Sequence, residues 1–268
     1  MIPLTDRNPT RHFPVICVVL ILINTLVFLY DTFTPVLIER IAANPYGVPV
    51  RVRDTVGILT LRYALVPAYV TGLPPDRGAA LVLPQLTHPA WLTVFTSMFL
   101  HASWLHIGGN MLYLWVFGNN IEDVLGRARF VMFYLLSGVG AAAVHIASDP
   151  TSTVPTVGAS GAVAGLMGAY LLLYPHARIL SIVPLFGILS TLMEVPAVLV
   201  IGFWVLLQVL HTQLFGGEML TRGGGVAYLA HIGGFVTGAL LILLMGGRRL
   251  LNTRPQAADY PYPPEPWP

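Results

Sequence analysis

Two segments of this sequence place a reactive side chain among small residues. Ser160 lies in residues 158–165, which read GASGAVAG, and His231 lies in residues 230–238, which read AHIGGFVTG. If both segments form packed helices, the serine hydroxyl and the imidazole can hydrogen-bond, which is how a histidine activates a weak hydroxyl nucleophile. The pattern therefore predicts nucleophilic chemistry by Ser160 with His231 as the base. The simpler interpretation of Ser160 is a hydrogen bond that joins two helices.

Glycines with helical spacing favour a close approach of these two segments. Gly161 and Gly165 are four residues apart in the first segment, and Gly234 and Gly238 are four residues apart in the second. Each pair lies on one face of its predicted helix, and a face without side-chain volume lets another backbone come close. We therefore expect Gly161, Gly234 and Gly238 to have a structural role beside the site.

A third segment, residues 101–110 with the sequence HASWLHIGGN, adds two hydrogen-bond donors. His106 and Asn110 are four residues apart, so both side chains project from the same helix face. Acyl transfer needs donors that point at the developing oxyanion, and both side chains can supply them. A metal site formed by His101, His106 and His231 is the competing interpretation. None of the 8 histidines is followed by glutamate, so the zinc motif HExxH is absent, and we expect no metal and no cofactor.

Four further polar residues of the apolar runs have structural interpretations. Asn24 and Gln208 are isolated, and one hydrogen bond between helices explains each of them. His145 and His211 fall near the ends of predicted helices, where an imidazole can reach the membrane interface at little cost. None of the four is predicted to take part in chemistry.

The composition shows the environment in which these side chains must work. Hydrophobic residues make up 55% of the 268 residues and charged residues only 10%, and the mean hydropathy is +0.73. An average soluble domain carries about 25% charged residues. Runs without any charge, such as residues 130–148 and 223–247, are long enough for helices that cross a lipid bilayer. A soluble enzyme, a disordered protein and a nucleic-acid-binding protein are excluded, so we expect the lipid bilayer as a partner and no nucleic acid.

The charge-free runs predict an all-α polytopic membrane protein, a bundle of six transmembrane helices. We expect the helices at about residues 13–30, 104–121, 128–147, 158–174, 196–215 and 226–246. A long membrane-associated loop joins the first two, and the membrane domain covers residues 13–247. Residues 1–12 are expected to be a cytoplasmic tail, and residues 248–268 a proline-rich cytoplasmic tail. No Asp or Glu lies within any of the six helices, which excludes an aspartate-based chemistry in the membrane.

The distribution of arginine predicts the orientation. All 14 basic residues are arginine. Short loops rich in arginine stay in the cytoplasm. The short loops on the side away from the termini hold only Arg222, whereas the segments on the side of the termini hold Arg7, Arg11, Arg127, Arg129, Arg178, Arg248, Arg249 and Arg254. We therefore expect a multi-pass protein of a bacterial-type inner or plasma membrane with both termini in the cytoplasm.

With these motifs, the sequence resembles the rhomboid family of intramembrane serine proteases. The resemblance is carried by HxxxxHxxxN at residues 101–110, GxSG at residues 158–161 and AHxxGxxxG at residues 230–238. The three motifs occur in the family's order on separate predicted helices. The similarity extends over about residues 91–238, more than half of the chain.

The resemblance implies a serine endopeptidase that cleaves peptide bonds in or next to the transmembrane segments of other membrane proteins, through an acyl-enzyme. Ser160 would be the nucleophile and His231 the base of a dyad without an acidic third member. The side chains of His106 and Asn110, with the backbone N–H of Ser160, would form the oxyanion hole. The implied partners are transmembrane protein substrates. The sequence specifies neither their identity nor the oligomeric state.

The resemblance also implies structural roles near the site. His101 would order a segment of the first loop by hydrogen bonds, and Gly161 and Gly234 would allow close packing of the fourth and sixth helices. Some members carry an aromatic residue four positions after the serine, which stacks on the catalytic histidine. That position is Ala164 here, so the sequence does not show what holds the imidazole ring.

Two other functions fit a bundle of membrane helices. A catalytically inactive rhomboid-like protein would bind or escort membrane clients, but Ser160 and His231 are both present. A transporter would need a substrate path with charged or repeated elements, and the sequence shows neither. Proteolysis is therefore the favoured prediction and the inactive client-binding protein its alternative.

Overall fold

The computed structural model describes residues 1–43, 49–74, 87–184, 190–222 and 228–252. Most of this part of the chain is helical. The α-helices are α1 (Val15–Phe33), α2 (Ile58–Tyr63), α3 (Pro67–Thr71), α4 (Thr93–Thr96), α5 (Trp104–Leu125), α6 (Arg127–Ser148), α7 (Ser160–Leu173), α8 (Ala197–Arg222), α9 (Tyr228–Leu244) and α10 (Gly247–Asn252). The strands are β1 (Ile2–Asp6), β2 (Pro35–Ala43), β3 (Pro49–Gly57), β4 (Arg178–Pro184) and β5 (Ser190–Pro196).

The long helices lie where the sequence places the transmembrane segments. α1, α5, α6, α7, α8 and α9 match the six expected positions within a few residues, except that α8 continues to Arg222. By length and composition α1 and α6 can each cross a membrane, whereas α7, α9 and the apolar part of α8, Ala197–His211, are shorter. The number of membrane crossings therefore stays a prediction.

Three strands form a sheet that the all-α prediction did not include. The antiparallel order is β1-β4-β5, with Ile2 opposite Ile182 and Arg178 opposite Pro196. β1 comes from the segment that was expected to be only a tail, and its partner β4 follows α7. Local hydropathy does not show such a pairing, because the two strands lie far apart in the sequence.

The first loop begins with an antiparallel hairpin, which the all-α prediction also omitted. Its strands β2 and β3 have 9 residues each and pair from Pro35 opposite Gly57 to Ala43 opposite Pro49. Further along the loop, 3₁₀ turns at Ala90–Leu92 and Ser97–Phe99 flank α4. Most of the proline-rich tail, from residue 253 onward, lies outside the described residues.

α7 is the helix around which the others pack. Its residues 162–170 are all buried, and it contacts α5, α6 and α9. The contact with α9 brings the two backbones together. A Cβ atom at Gly234 would overlap the carbonyl oxygen of Gly161, and one at Gly238 would overlap the carbonyl oxygen of Gly165. The glycine faces thus allow the first turns of α7 and α9 to touch.

A buried carboxylate joins the start of α1 to the end of α5. Glu122 is only 4% exposed, and its oxygens accept the backbone N–H groups of Ile16 at 2.9 Å and Cys17 at 2.8 Å. N–H groups in the first turn of a helix lack partners within that helix, and a negative charge is favourable there. The carboxylate therefore fixes where α1 meets the bundle.

Two polar contacts hold the first loop against the end of the bundle where α7 begins. Asp31, near the end of α1, accepts the backbone N–H of Leu59 and the hydroxyl of Thr60, both at 2.6 Å. Leu65 and Thr156 then exchange backbone hydrogen bonds of 3.0 and 2.8 Å. Because Thr156 lies just before α7, this pair positions the segment that leads into Ser160.

Candidate active site

Ser160 and His231 meet at the first turns of α7 and α9. The Oγ atom of Ser160 lies 2.8 Å from Nε2 of His231, within hydrogen-bond distance. Ser160 is the first residue of α7, and His231 is in the first turn of α9. The structure therefore brings together the two residues that the sequence selects as nucleophile and base.

The second nitrogen of the His231 ring contacts Gln208, a residue for which the sequence predicted a hydrogen bond between helices but no role in the site. Nδ1 of His231 lies 2.8 Å from Oε1 of Gln208 in α8. The Trp204 ring packs against the same imidazole, with ring centroids 5.7 Å apart and planes inclined by 36°. Trp204 and Gln208 are four residues apart on α8, so they share a helix face. That spacing within the apolar part of α8, Ala197–His211, was the available sequence signal.

α8 thus holds the His231 ring, in the absence of an aromatic residue at Ala164. Tyr228, three residues before His231, does not serve this purpose. Its ring stacks on His211, with centroids 5.0 Å apart and planes inclined by 22°. Ala164 is fully buried among the packed helices.

His106 points its second ring nitrogen toward the space beside Ser160. Nδ1 of His106 accepts the backbone N–H of Ala102 at 3.4 Å, so the ring hydrogen is on Nε2. A Cβ atom at Gly158 would lie 2.8 Å from that Nε2 and 3.6 Å from Oγ of Ser160. The two groups therefore face the same small space. Gly158 has φ 131°, a conformation that favours glycine, and it leaves this space open.

Asn110 lies one turn after His106 on α5 and lines the same cavity. Its side chain is buried, and Nδ2 donates to the carbonyl oxygen of His106 at 3.1 Å. An amide nitrogen carries two hydrogens, so one remains for a ligand in the cavity. The structure thus places both predicted donors on one wall of the cavity.

His101 contacts the residue before Ser160. Its Nε2 accepts the backbone N–H of Ala159 at 3.5 Å, and its ring packs edge-on against the His106 ring at 5.2 Å. Burial, with a smaller effect of the neighbouring His106 imidazole, lowers the pKa of His101 to about 3. The ring is therefore neutral at pH 7 and can accept this hydrogen bond. The contact lies at the start of α7, whereas the resemblance implied that His101 orders a segment of the first loop by hydrogen bonds.

A cavity of about 610 Å³ opens beside Ser160. α5, α6, α7, α8, the start of α9 and the segment before α7 line it, and Ser160, His231, His106 and Asn110 all reach it. Most of the other lining residues are apolar. The cavity can therefore hold an extended, mostly apolar chain next to the serine hydroxyl.

The described side chains show no arrangement for a metal ion. No group of three or more His, Cys, Asp or Glu side chains is placed to bind one in the part of the chain that the structure describes. Both ring nitrogens of His231 already face protein partners, Ser160 and Gln208. These contacts leave His231 no free nitrogen for a metal.

The chain is similar to known proteins along most of the membrane domain. The family profile described as Rhomboid domain matches residues 88–248. Rhomboid-like protein 11, chloroplastic, of Arabidopsis thaliana is 32% identical over 178 residues, which are 63% of this chain and 58% of that protein. Rhomboid protein 1, mitochondrial, of Saccharomyces cerevisiae is 31% identical over 153 residues, 56% of this chain and 40% of the relative. The chain thus spans about half the length of these two relatives.

A bacterial relative matches over a shorter stretch. Rhomboid protease GluP of Bacillus subtilis is 38% identical over 81 residues, which are 30% of this chain and 15% of that protein. Because the two longer matches are named chloroplastic and mitochondrial, the relatives do not support the expected bacterial-type membrane. The family profile covers more than half of the chain and confirms the resemblance seen in the motifs. The chain belongs to the rhomboid family, whose helical fold is that of an integral, multi-pass membrane protein.

Proposed function

We propose that this protein is an intramembrane serine endopeptidase that cleaves peptide bonds in or next to the transmembrane segments of other membrane proteins. The observation that carries the proposal is the 2.8 Å contact between Oγ of Ser160 and Nε2 of His231 at the wall of a cavity. Membership in a family that includes a protein named rhomboid protease GluP supports it.

In the proposed reaction, Oγ of Ser160 attacks the carbonyl carbon of the substrate while Nε2 of His231 takes the hydroxyl proton. The negative charge that develops on the carbonyl oxygen faces His106 and Asn110. The backbone N–H of Ser160 is a third donor, because it lies in the first turn of α7 and has no partner within the helix. Collapse of the intermediate breaks the peptide bond, and the leaving amine takes the proton from His231. Water then attacks the acyl-enzyme while Nε2 of His231 takes a proton from it. The proton passes to Oγ of Ser160 as the acid product leaves.

The proposed orientation puts the active site at the end of the bundle away from the arginines. Six membrane crossings would place both termini on one side. The exposed Arg127 and Arg129, in the first turn of α6, and Arg178, at the start of β4, lie on that side. α7 begins at Ser160 on the other side. By the preference of arginine for cytoplasmic loops, the termini are cytoplasmic and water reaches the serine from the outside.

The direct test is cleavage of a model transmembrane substrate by the purified protein in detergent. The wild type should cleave it and Ser160→Ala should not. Ser181→Ala is the matched control, because Ser181 is a buried serine of β4 outside the site, and it should cleave like the wild type. Full cleavage by Ser160→Ala would contradict the mechanism. No cleavage of several substrates by a folded wild type would instead favour the inactive client-binding protein.

A further inference from the structure

The side chain of Gln208 has a fixed orientation beside His231. It is only 7% exposed, and its Nε2 donates to the carbonyl oxygen of Trp204 at 3.5 Å. A carbonyl oxygen can only accept a hydrogen bond, so the amide nitrogen must face Trp204. The amide oxygen then faces Nδ1 of His231 at 2.8 Å.

This orientation selects one tautomer of the imidazole. Because an amide oxygen can only accept, Nδ1 of His231 must carry the ring hydrogen. Nε2 then has a free lone pair, and it lies 2.8 Å from the hydroxyl of Ser160. A histidine can remove a proton from the serine only in this tautomer.

We propose that Gln208 is a positioning residue, which holds His231 in the Nδ1-protonated tautomer with Nε2 directed at Ser160. The proposal deepens the proteolytic function above and rests on it for its kinetic consequences. Gln208 does for this histidine part of what a buried aspartate does in a Ser-His-Asp triad.

A neutral amide suits this position in a membrane protein. A carboxylate in an apolar helix is costly unless it is paired, whereas an amide can orient the ring without adding a charge. Among the side chains that the structure describes, the titratable groups that interact with His231 are the imidazoles of His106 and His145. Trp204, one turn from Gln208, packs against the ring. Through Trp204 and Gln208, α8 therefore fixes the plane of the imidazole ring and keeps the ring hydrogen on Nδ1.

The first test compares two substitutions by kinetics. Gln208→Leu removes the acceptor and should lower kcat about 10- to 100-fold. This is the effect of losing one hydrogen bond to a charged group, here the imidazolium that forms when His231 takes the serine proton. KM should change little, because the amide faces the imidazole. Gln208→Glu keeps an acceptor at Nδ1 and should retain more of kcat. Its carboxylate also favours the imidazolium, so the acidic limb of its pH–rate profile should move to higher pH.

Asn24→Leu is the matched control for loss of a buried amide. Asn24 lies in α1 and donates to the carbonyl oxygen four residues earlier, Leu20, as Gln208 does to Trp204. The control should keep the wild-type kcat and pH profile. If Gln208→Leu fails to fold, the shifted acidic limb of Gln208→Glu still decides the question. Equal kcat and equal pH profiles for wild type and folded Gln208 variants would overturn the proposal.

The second test does not depend on turnover. ¹⁵N NMR of histidine-labelled protein reports which ring nitrogen carries hydrogen, and comparison with His231→Ala identifies the His231 signals. The wild type should show hydrogen on Nδ1, and Gln208→Leu should lose this preference. Hydrogen on Nε2 in the wild type would overturn the proposal even if the protein cleaves substrate. An Nδ1-protonated ring in a protein without cleavage would refute the proteolytic function and leave the role of Gln208 intact.

Discussion

The contact between α7 and α9 makes Gly234→Ala a sharp perturbation of the site. The added Cβ atom would overlap the carbonyl oxygen of Gly161, which is backbone and cannot rotate away. To restore an ordinary contact distance, the two backbones must separate by more than about 1 Å. Gly161 follows Ser160 directly, and Gly234 lies one helical turn after His231. The separation therefore acts on the hydrogen bond between the serine and the imidazole.

Two effects of different size are expected from Gly234→Ala. Overpacking of a well-packed core costs about 1–3 kcal/mol of unfolding free energy. Misplacement of catalytic groups by about 1 Å lowers turnover by roughly 100-fold. The loss of turnover should therefore exceed what the loss of folded protein explains at a temperature well below the unfolding midpoint.

The assay combines thermal unfolding in detergent with turnover of the model substrate. Gly202→Ala in α8 is the matched control, since a Cβ atom there meets no other atom within 4 Å. It should unfold at or above the wild-type temperature and keep its turnover, because alanine favours a helix over glycine by about 1 kcal/mol. Wild-type stability and wild-type turnover for Gly234→Ala would refute the argument that the glycine contact sets the geometry of the dyad.

Three further predictions concern the oxyanion, the join between α1 and α5, and the N-terminal strand. Asn110→Ala should lower kcat by about 10²–10³ with little change in KM, as loss of an oxyanion donor does, and steady-state cleavage assays measure it. Glu122→Ala should lower the unfolding free energy by about 1–3 kcal/mol, because two buried N–H groups of α1 lose their acceptor; thermal unfolding of this variant and the wild type measures it. Burial raises the pKa of Asp6 to about 6 from 3.8. The protonated carboxyl therefore contributes to the free energy of unfolding. This contribution is complete below pH 3.8 and is lost as the pH rises through about 6. Unfolding followed across this range should show the dependence in the wild type and a flatter profile in Asp6→Asn.

Much of the helical architecture is predictable from the sequence. Charge-free runs of membrane length mark the long helices, and the glycine spacing in residues 158–165 and 230–238 predicts the close contact of α7 with α9. These features are local, so periodicity and hydropathy detect them. The same spacing arguments select Ser160 and His231, which the structure places 2.8 Å apart.

The sequence does not show contacts that depend on the approach of distant segments. β1 pairs with β4, and this pairing is possible because α7 returns the chain to the side of the N-terminus. Gln208 looks like an isolated polar residue in the apolar part of α8, and only the packing of α8 beside α9 brings its amide to His231. His101 likewise contacts Ala159, although the helices α5 and α6 separate the two residues in the sequence. In each case the relevant distance is set by tertiary packing.

The most direct measurement of the central claim is the site at which a fluorophosphonate reacts with the intact protein, located by mass spectrometry. Such a probe forms a stable bond with a serine that a neighbouring base activates. The adduct should be on Ser160, and it should be absent from Ser160→Ala and strongly reduced in folded His231→Ala. An adduct on another serine, or undiminished labelling of Ser160→Ala, would contradict the assignment of Ser160 as the nucleophile.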